Sequence, residues 1–155
     1  MHRILRHIPP FIMGLVILAI TLIGFNSANQ IYREYVPVST VFEASVQVPN
    51  FKPGDNPPVI YTRTIKQDFI GSFRVDVKSV KTGATICSGS GTDITYSVNN
   101  VVDPANITFD WYIGAKCSDK VKFGEQYILD SRWTVDIENW PTKYLTKRSN
   151  IFQIE

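Results

Sequence analysis

Histidine is nearly missing from this chain. The 155 residues hold two, His2 and His7, and both precede the first long apolar run, so everything after that run lacks an imidazole. Ser-His-Asp and Cys-His catalysis and the usual zinc hydrolase centres each need imidazole as base or ligand, and they are excluded from the rest of the chain. Net charge is also small. The formal +2 comes entirely from Arg3 and Arg6, because the other fourteen Lys and Arg balance fourteen Asp and Glu. Nucleic-acid binding leaves a basic footprint, which this neutral remainder lacks. Calcium-loop spacing of acids is missing too. The Ser-Gly-Ser-Gly stretch at 88–91 has no following Gly-Lys-Ser/Thr and no helix to cradle a phosphate, so it is expected to be a β-turn that breaks pairing. Neither a metal nor a cofactor is expected. Past Tyr35 no segment keeps a helical period over three turns.

What is present begins with residues 8–25, which read IPPFIMGLVILAITLIGF without a charge. Eighteen residues at about 1.5 Å each cover roughly 27 Å, close to a hydrocarbon core of about 30 Å. Pro9 and Pro10 stand at the start, where a helix tolerates missing donors, and Thr21 can return its hydroxyl to a carbonyl one turn back. Arg3 and Arg6 outweigh Arg33, which neighbours Glu34, so the amino terminus is expected in the cytoplasm. Tyr32 and Tyr35 suit the outer headgroup level. Two rivals stay open: a cleaved signal peptide, cut after Ala28 although Asn26 occupies a position that favours a small apolar residue, and a buried helix of a soluble protein. The signal-anchor reading divides the chain into a cytoplasmic segment 1–7, a transmembrane helix 8–25, a juxtamembrane linker 26–38 and a domain 39–155. That domain would lie on the periplasmic or extracellular side of an inner or plasma membrane. Gly14 and Gly24 do not form a GxxxG pair for helix association.

About 120 residues make one ordinary domain. Export places Cys87 and Cys117 in an oxidising compartment, where they are expected to form a disulfide; two buried thiols are the alternative. Alternation of period two marks strands at 42–48, 59–65, 73–78, 84–87 and 94–98, and another at 107–113 with Ile107, Phe109, Trp111 and Ile113 on one face. The longest alternation, 127–137, predicts a central strand. Residues 139–148 read as a polar connection, and 150–155 as a closing strand with Phe152 and Ile154 on one face. Short strands separated by Gly, Pro and Asn point to a mainly β, antiparallel sandwich. The ending SNIFQIE after a proline turn resembles the closing strand of immunoglobulin-like and fibronectin III-like domains, which implies a β-sandwich of that kind. The antibody cysteine–tryptophan pattern is not kept, since Trp111 lies 24 residues after Cys87 and six before Cys117. No functional residue is carried over.

Candidate site residues are few. Trp111, Trp133 and Trp140 with the tyrosines could form an aromatic face for a glycan or a protein. Trp111 and Trp133 fit the core pattern, whereas Trp140 before Pro141 is either a plug at the end of the sandwich or a contact residue. Lys143, Lys147 and Arg148 form a basic cluster that could meet acidic lipid or glycan, with a solvated loop as the plainer account. Asp110 with Asp130 or Asp136 could supply paired carboxylates for glycoside hydrolysis, although each suits a strand surface beside cations. Asn106-Ile107-Thr108 matches a glycosylation acceptor. The expectation is a non-enzymatic binding or structural module anchored through residues 8–25, with a protein or glycan partner. The alternatives are a carboxylate hydrolase of envelope polysaccharide and an accessory subunit of a membrane complex.

Overall fold

The computed structural model describes residues 9–99 and 107–155, in two units that divide after Val36. The first unit holds α1, Pro10–Tyr35, a single apolar helix long enough to cross a membrane. Pro10 opens it at N1, and the Thr21 hydroxyl donates to the Ile17 carbonyl at 2.9 Å, which satisfies that hydroxyl within the helix. The helix does not end at Phe25. It continues through the polar residues 26–35, and its 26 residues span about 39 Å at about 1.5 Å per residue. The expectations that rest on Arg3, Arg6, His2, His7 and Asn106 lie outside the described residues.

The second unit is mainly β, with two antiparallel sheets. A 3₁₀ turn, Val38–Thr40, leads into a ribbon of β1, Phe42–Gln47, and β2, Ile60–Ile65. The larger sheet contains β3, Phe69–Ser79, β4, Thr85–Tyr96, β5, Gln126–Val135, and β6, Lys143–Arg148, in the order β4-β3-β5-β6; a short β7, Phe152–Gln153, pairs with β5 beyond β6. The alternation read along 127–137 therefore does mark a central strand, flanked by β3 and β6. Its inward residues Tyr127, Leu129, Ser131, Trp133 and Val135 are buried.

Aromatic side chains join the two sheets. Phe42 on β1 lies with its ring centroid 5.3 Å from Phe69, 5.5 Å from Tyr96 and 5.7 Å from Trp133, so one side chain touches β3, β4 and β5 at once. Such tilted and edge-on pairs add to the gain from area burial. The chain after β1 is fixed by side-chain amides. Asn150 accepts from the Val48 amide and donates to the Val48 carbonyl, both at 2.8 Å, and so replaces a backbone ladder rung with one side chain. Asn150→Ala leaves both part-buried backbone groups without these bonds and is expected to lower stability by about 1–3 kcal/mol, read as a shift of the urea midpoint with the slope unchanged.

Further sequence expectations differ from the structure in this unit. Residues 88–91 do not break pairing: Ser88, Gly89, Ser90 and Gly91 face Asp76, Val75, Arg74 and Phe73 inside β4. The glycine is needed because a Cβ on Gly89 would lie 1.3 Å from the Ile113 carbonyl oxygen, a close approach of backbone that marks many strand glycines. The register shifts on either side of this stretch instead, between Thr85 and Cys87 and between Gly91 and Ile94, where Asp93 takes φ 55°. Residues 107–113 do not form a strand. Thr108 caps a one-turn helix, α2, Phe109–Ile113, by accepting from the Trp111 amide, and Gly114 closes it in the left-handed region at φ 76°. Phe109, Tyr112 and Ile113 are its buried residues, an i, i+3, i+4 set, and this turns Trp111 out to 66% exposure instead of into the core. Finally, part of the polar connection 139–148 is β6.

Candidate functional site

Where β2, the β3–β4 hairpin, α2 and β5 meet, aromatic side chains enclose a cleft of about 250 Å³. β5 provides its floor through Trp133, which is 1% exposed, and Phe73 on β3 lies beside it at 5.3 Å between ring centroids. Tyr112 on α2 meets both Phe73 and Tyr61 of β2 at 5.3 Å. Ser90, Gly91 and Ile94 of β4 line the side towards α2, where Ile113 and Gly114 complete the wall and Trp111 stands at the rim. The one-turn helix is thus what brings an exposed indole to this opening.

The polar groups of the cleft are hydroxyls and one guanidinium. Arg63 falls on the core-facing side of β2, between Tyr61 and Ile65, and its guanidinium carbon lies 5.5 Å from the Tyr96 ring centroid. That distance permits a cation–π attraction. The Arg63 guanidinium and the Trp133 indole stand near enough to the Tyr61 hydroxyl, and the indole to that of Tyr96, to favour the ionised phenols. Burial pushes the Tyr61 hydroxyl up, against the opposing pull of the Arg63 charge; burial and then the neighbouring Tyr61 push Tyr96 up. Tyr112 is raised by burial as well, partly offset by its 3.0 Å hydrogen bond with Ser131. All three phenols therefore stay neutral at physiological pH and keep both donor and acceptor capacity. Among the described residues that line the cleft there is one cation and no carboxylate.

The basic residues expected to cluster are separated by the pleat of β6. Arg148 pairs across from Asp130, while Lys147 and Lys143 share the face of Ser131 and Val135. Arg148 donates to Asp130 at 2.9 Å and Lys78 donates to the other oxygen at 2.6 Å, on the outer face of the large sheet. Lys147 instead borders a depression with Glu43, Ser45 and Thr62 of the ribbon. Trp140 is partly buried and packs against the core.

The three candidate carboxylates have separate local roles. Asp110 on α2 accepts from the Cys117 and Ser118 amides at 2.8 Å each and from the Ser118 hydroxyl at 2.7 Å, which organises the return after α2. Asp136 accepts from the Thr142 hydroxyl. Burial alone would raise the Asp130 carboxyl, but the hydrogen bonds and charges of Lys78 and Arg148 outweigh it and hold the group below the usual carboxylate range. A carboxylate with a depressed folded-state pKa adds stability above its unfolded value, near 3.8, and loses it as pH falls through the folded value. Asp130→Asn is therefore expected to reduce the drop in urea midpoint between about pH 5 and about pH 2. No group of three His, Cys, Asp or Glu that could hold a metal ion occurs among the described residues.

Cys87 of β4 and Cys117 are joined by a disulfide with Cα atoms 6.1 Å apart, which ties the segment after α2 to the large sheet and so supports the wall carrying Trp111. Of the cleft residues, the aromatic content of the sequence points to Trp111 and Trp133 but not to Arg63. Its signal was available, as a cation between Tyr61 and Ile65 on the apolar phase of β2. No protein-family model, curated protein or solved structure matches this chain.

Proposed function

We propose that the protein is a single-pass, membrane-anchored binding module, with α1 as its anchor and the β domain displayed on the periplasmic or extracellular side as a sandwich of the immunoglobulin-like or fibronectin III-like kind. The cleft at Trp111 carries the binding reading. There the exposed Trp111 indole borders a recess with aromatic walls and a few converging polar groups, the usual make-up of a ligand site. The disulfide and the length of α1 support display in an oxidising compartment. The two antiparallel sheets that share Phe42 support the sandwich reading. The role is binding rather than catalysis, with a glycan or protein as partner.

The full chain in nanodiscs tests the binding reading through amide hydrogen exchange with and without solubilised envelope saccharides. Protection confined to β4 and α2 is the expected result, and its abolition by Trp111→Ala would tie it to the cleft. Unchanged exchange in both segments would overturn the reading. Display is tested by protease treatment of intact cells or spheroplasts: the β domain should be digested and the amino terminus spared, and the reverse pattern would reject the topology.

A further inference from the structure

We propose that the cleft recognises an acidic sugar, with one pyranose ring laid against the Trp111 indole and its carboxylate held by Arg63. The inference rests on the binding role above and adds the chemical class of the ligand.

Four observations lead to it. Arg63 is placed on the inward phase of β2, where an arginine is rare because partial loss of water is costly to a charge. A guanidinium fork in such a place suits bidentate recognition of a carboxylate. Second, the described lining residues include no acid, so a bound anion meets a single cation and no like charge. Third, the hydroxyl-bearing Tyr61, Tyr96 and Ser90 share the lining with apolar rings and with Ile94 and Ile113. A pyranose has that same pairing of an apolar C–H face with polar edges, and neutral phenols can donate to its hydroxyls as well as accept from them. Fourth, a cleft of about 250 Å³ is smaller than the range of about 300–1,000 Å³ that encloses a drug-sized ligand, so it admits one ring rather than a chain.

A strand-forming peptide fits less well. Strand addition needs an open backbone edge beside the pocket. β4 is the end strand of the large sheet, but beside the cleft its ladder with β3 is interrupted between Gly91 and Ile94, so it offers a peptide no regular edge there.

The test uses the full chain in nanodiscs, with three probes titrated separately: D-glucuronate, D-glucose and phenylacetate. The indole N–H resonance of Trp111, assigned by its loss in Trp111→Phe, reports occupancy. Saturable shifts with glucuronate are expected, with glucose weaker by about tenfold or more, as fits the loss of a charge-assisted contact. Arg63→Gln should weaken glucuronate by a similar factor and leave glucose unchanged. Arg63→Lys, which keeps the charge without the fork, should fall between. If Arg63→Gln does not fold, the glucose-to-glucuronate ratio in the native chain and the Arg63→Lys value decide the matter. Equal affinity for glucose and glucuronate, tighter binding of phenylacetate than of glucuronate, or no response to any probe would each overturn the acidic-sugar inference. Binding of glucose or phenylacetate in the cleft would still leave the binding-module reading standing, while unchanged exchange with envelope saccharides would remove both.

Discussion

Trp133→Ala is expected to destabilise the β domain by about 3–5 kcal/mol, the largest effect of any single substitution considered. The side chain is 1% exposed and is shared by the two sheets, with Phe42 on one side and Phe73 on the other. Truncation removes apolar area and leaves a void that the surrounding rings fill only in part, so both the transfer and the cavity contributions apply. It also removes the indole that stands beside the Tyr61 and Tyr96 hydroxyls. Trp133→Phe narrows the comparison: it keeps one aromatic ring but loses the N–H and part of the indole's volume, so a smaller loss of about 1–3 kcal/mol is expected. Urea titrations of the two variants give the comparison, and equal midpoints for Trp133→Ala and the native chain would show that the floor of the cleft bears no load.

Removing both sulfurs, as Cys87→Ala with Cys117→Ala, should cost about 3–4 kcal/mol in the chain-entropy account of a closed loop. The sequence separation is 30 residues. The native chain treated with reductant should move to nearly the same midpoint, and the double variant should not respond to reductant at all. A native midpoint insensitive to reductant, together with an unchanged nonreducing gel position on Cys87→Ser, would remove the bridge as a source of stability. Because Asp110 binds the Cys117 and Ser118 amides independently of the sulfurs, the turn after α2 should keep its local order in the double variant.

Long alternations were the readable part of this chain. Residues 127–137 and 42–48 each bury one phase, and a period of two has little competing interpretation over that length. The apolar run at the amino terminus was equally plain, although its helix reaches Tyr35 because Asn26, Gln30 and their neighbours do not break a helix already under way. Short segments were harder. In 107–113 the apolar residues at odd positions satisfy a strand, while Phe109, Tyr112 and Ile113 satisfy one turn of helix, and seven residues cannot separate the two periods. The caps decide it: Thr108 and Gly114 bracket the turn. The glycines at 88–91 misled for a different reason, since what requires Gly89 is a carbonyl from another element and not a local turn. The cleft depended on both segments, so two of its constituents were identified from sequence but their meeting place was not.

The bridge between β4 and the segment after α2 makes residues 87–117 a covalent ring. One peptide bond cut anywhere inside that ring opens the chain without releasing a fragment: β1, β2 and β3 stay linked to β5, β6 and β7 through sulfur. A domain nicked there outside the cell would keep its two sheets, and the cleft floor they share, on a single molecule until a reductant reached it.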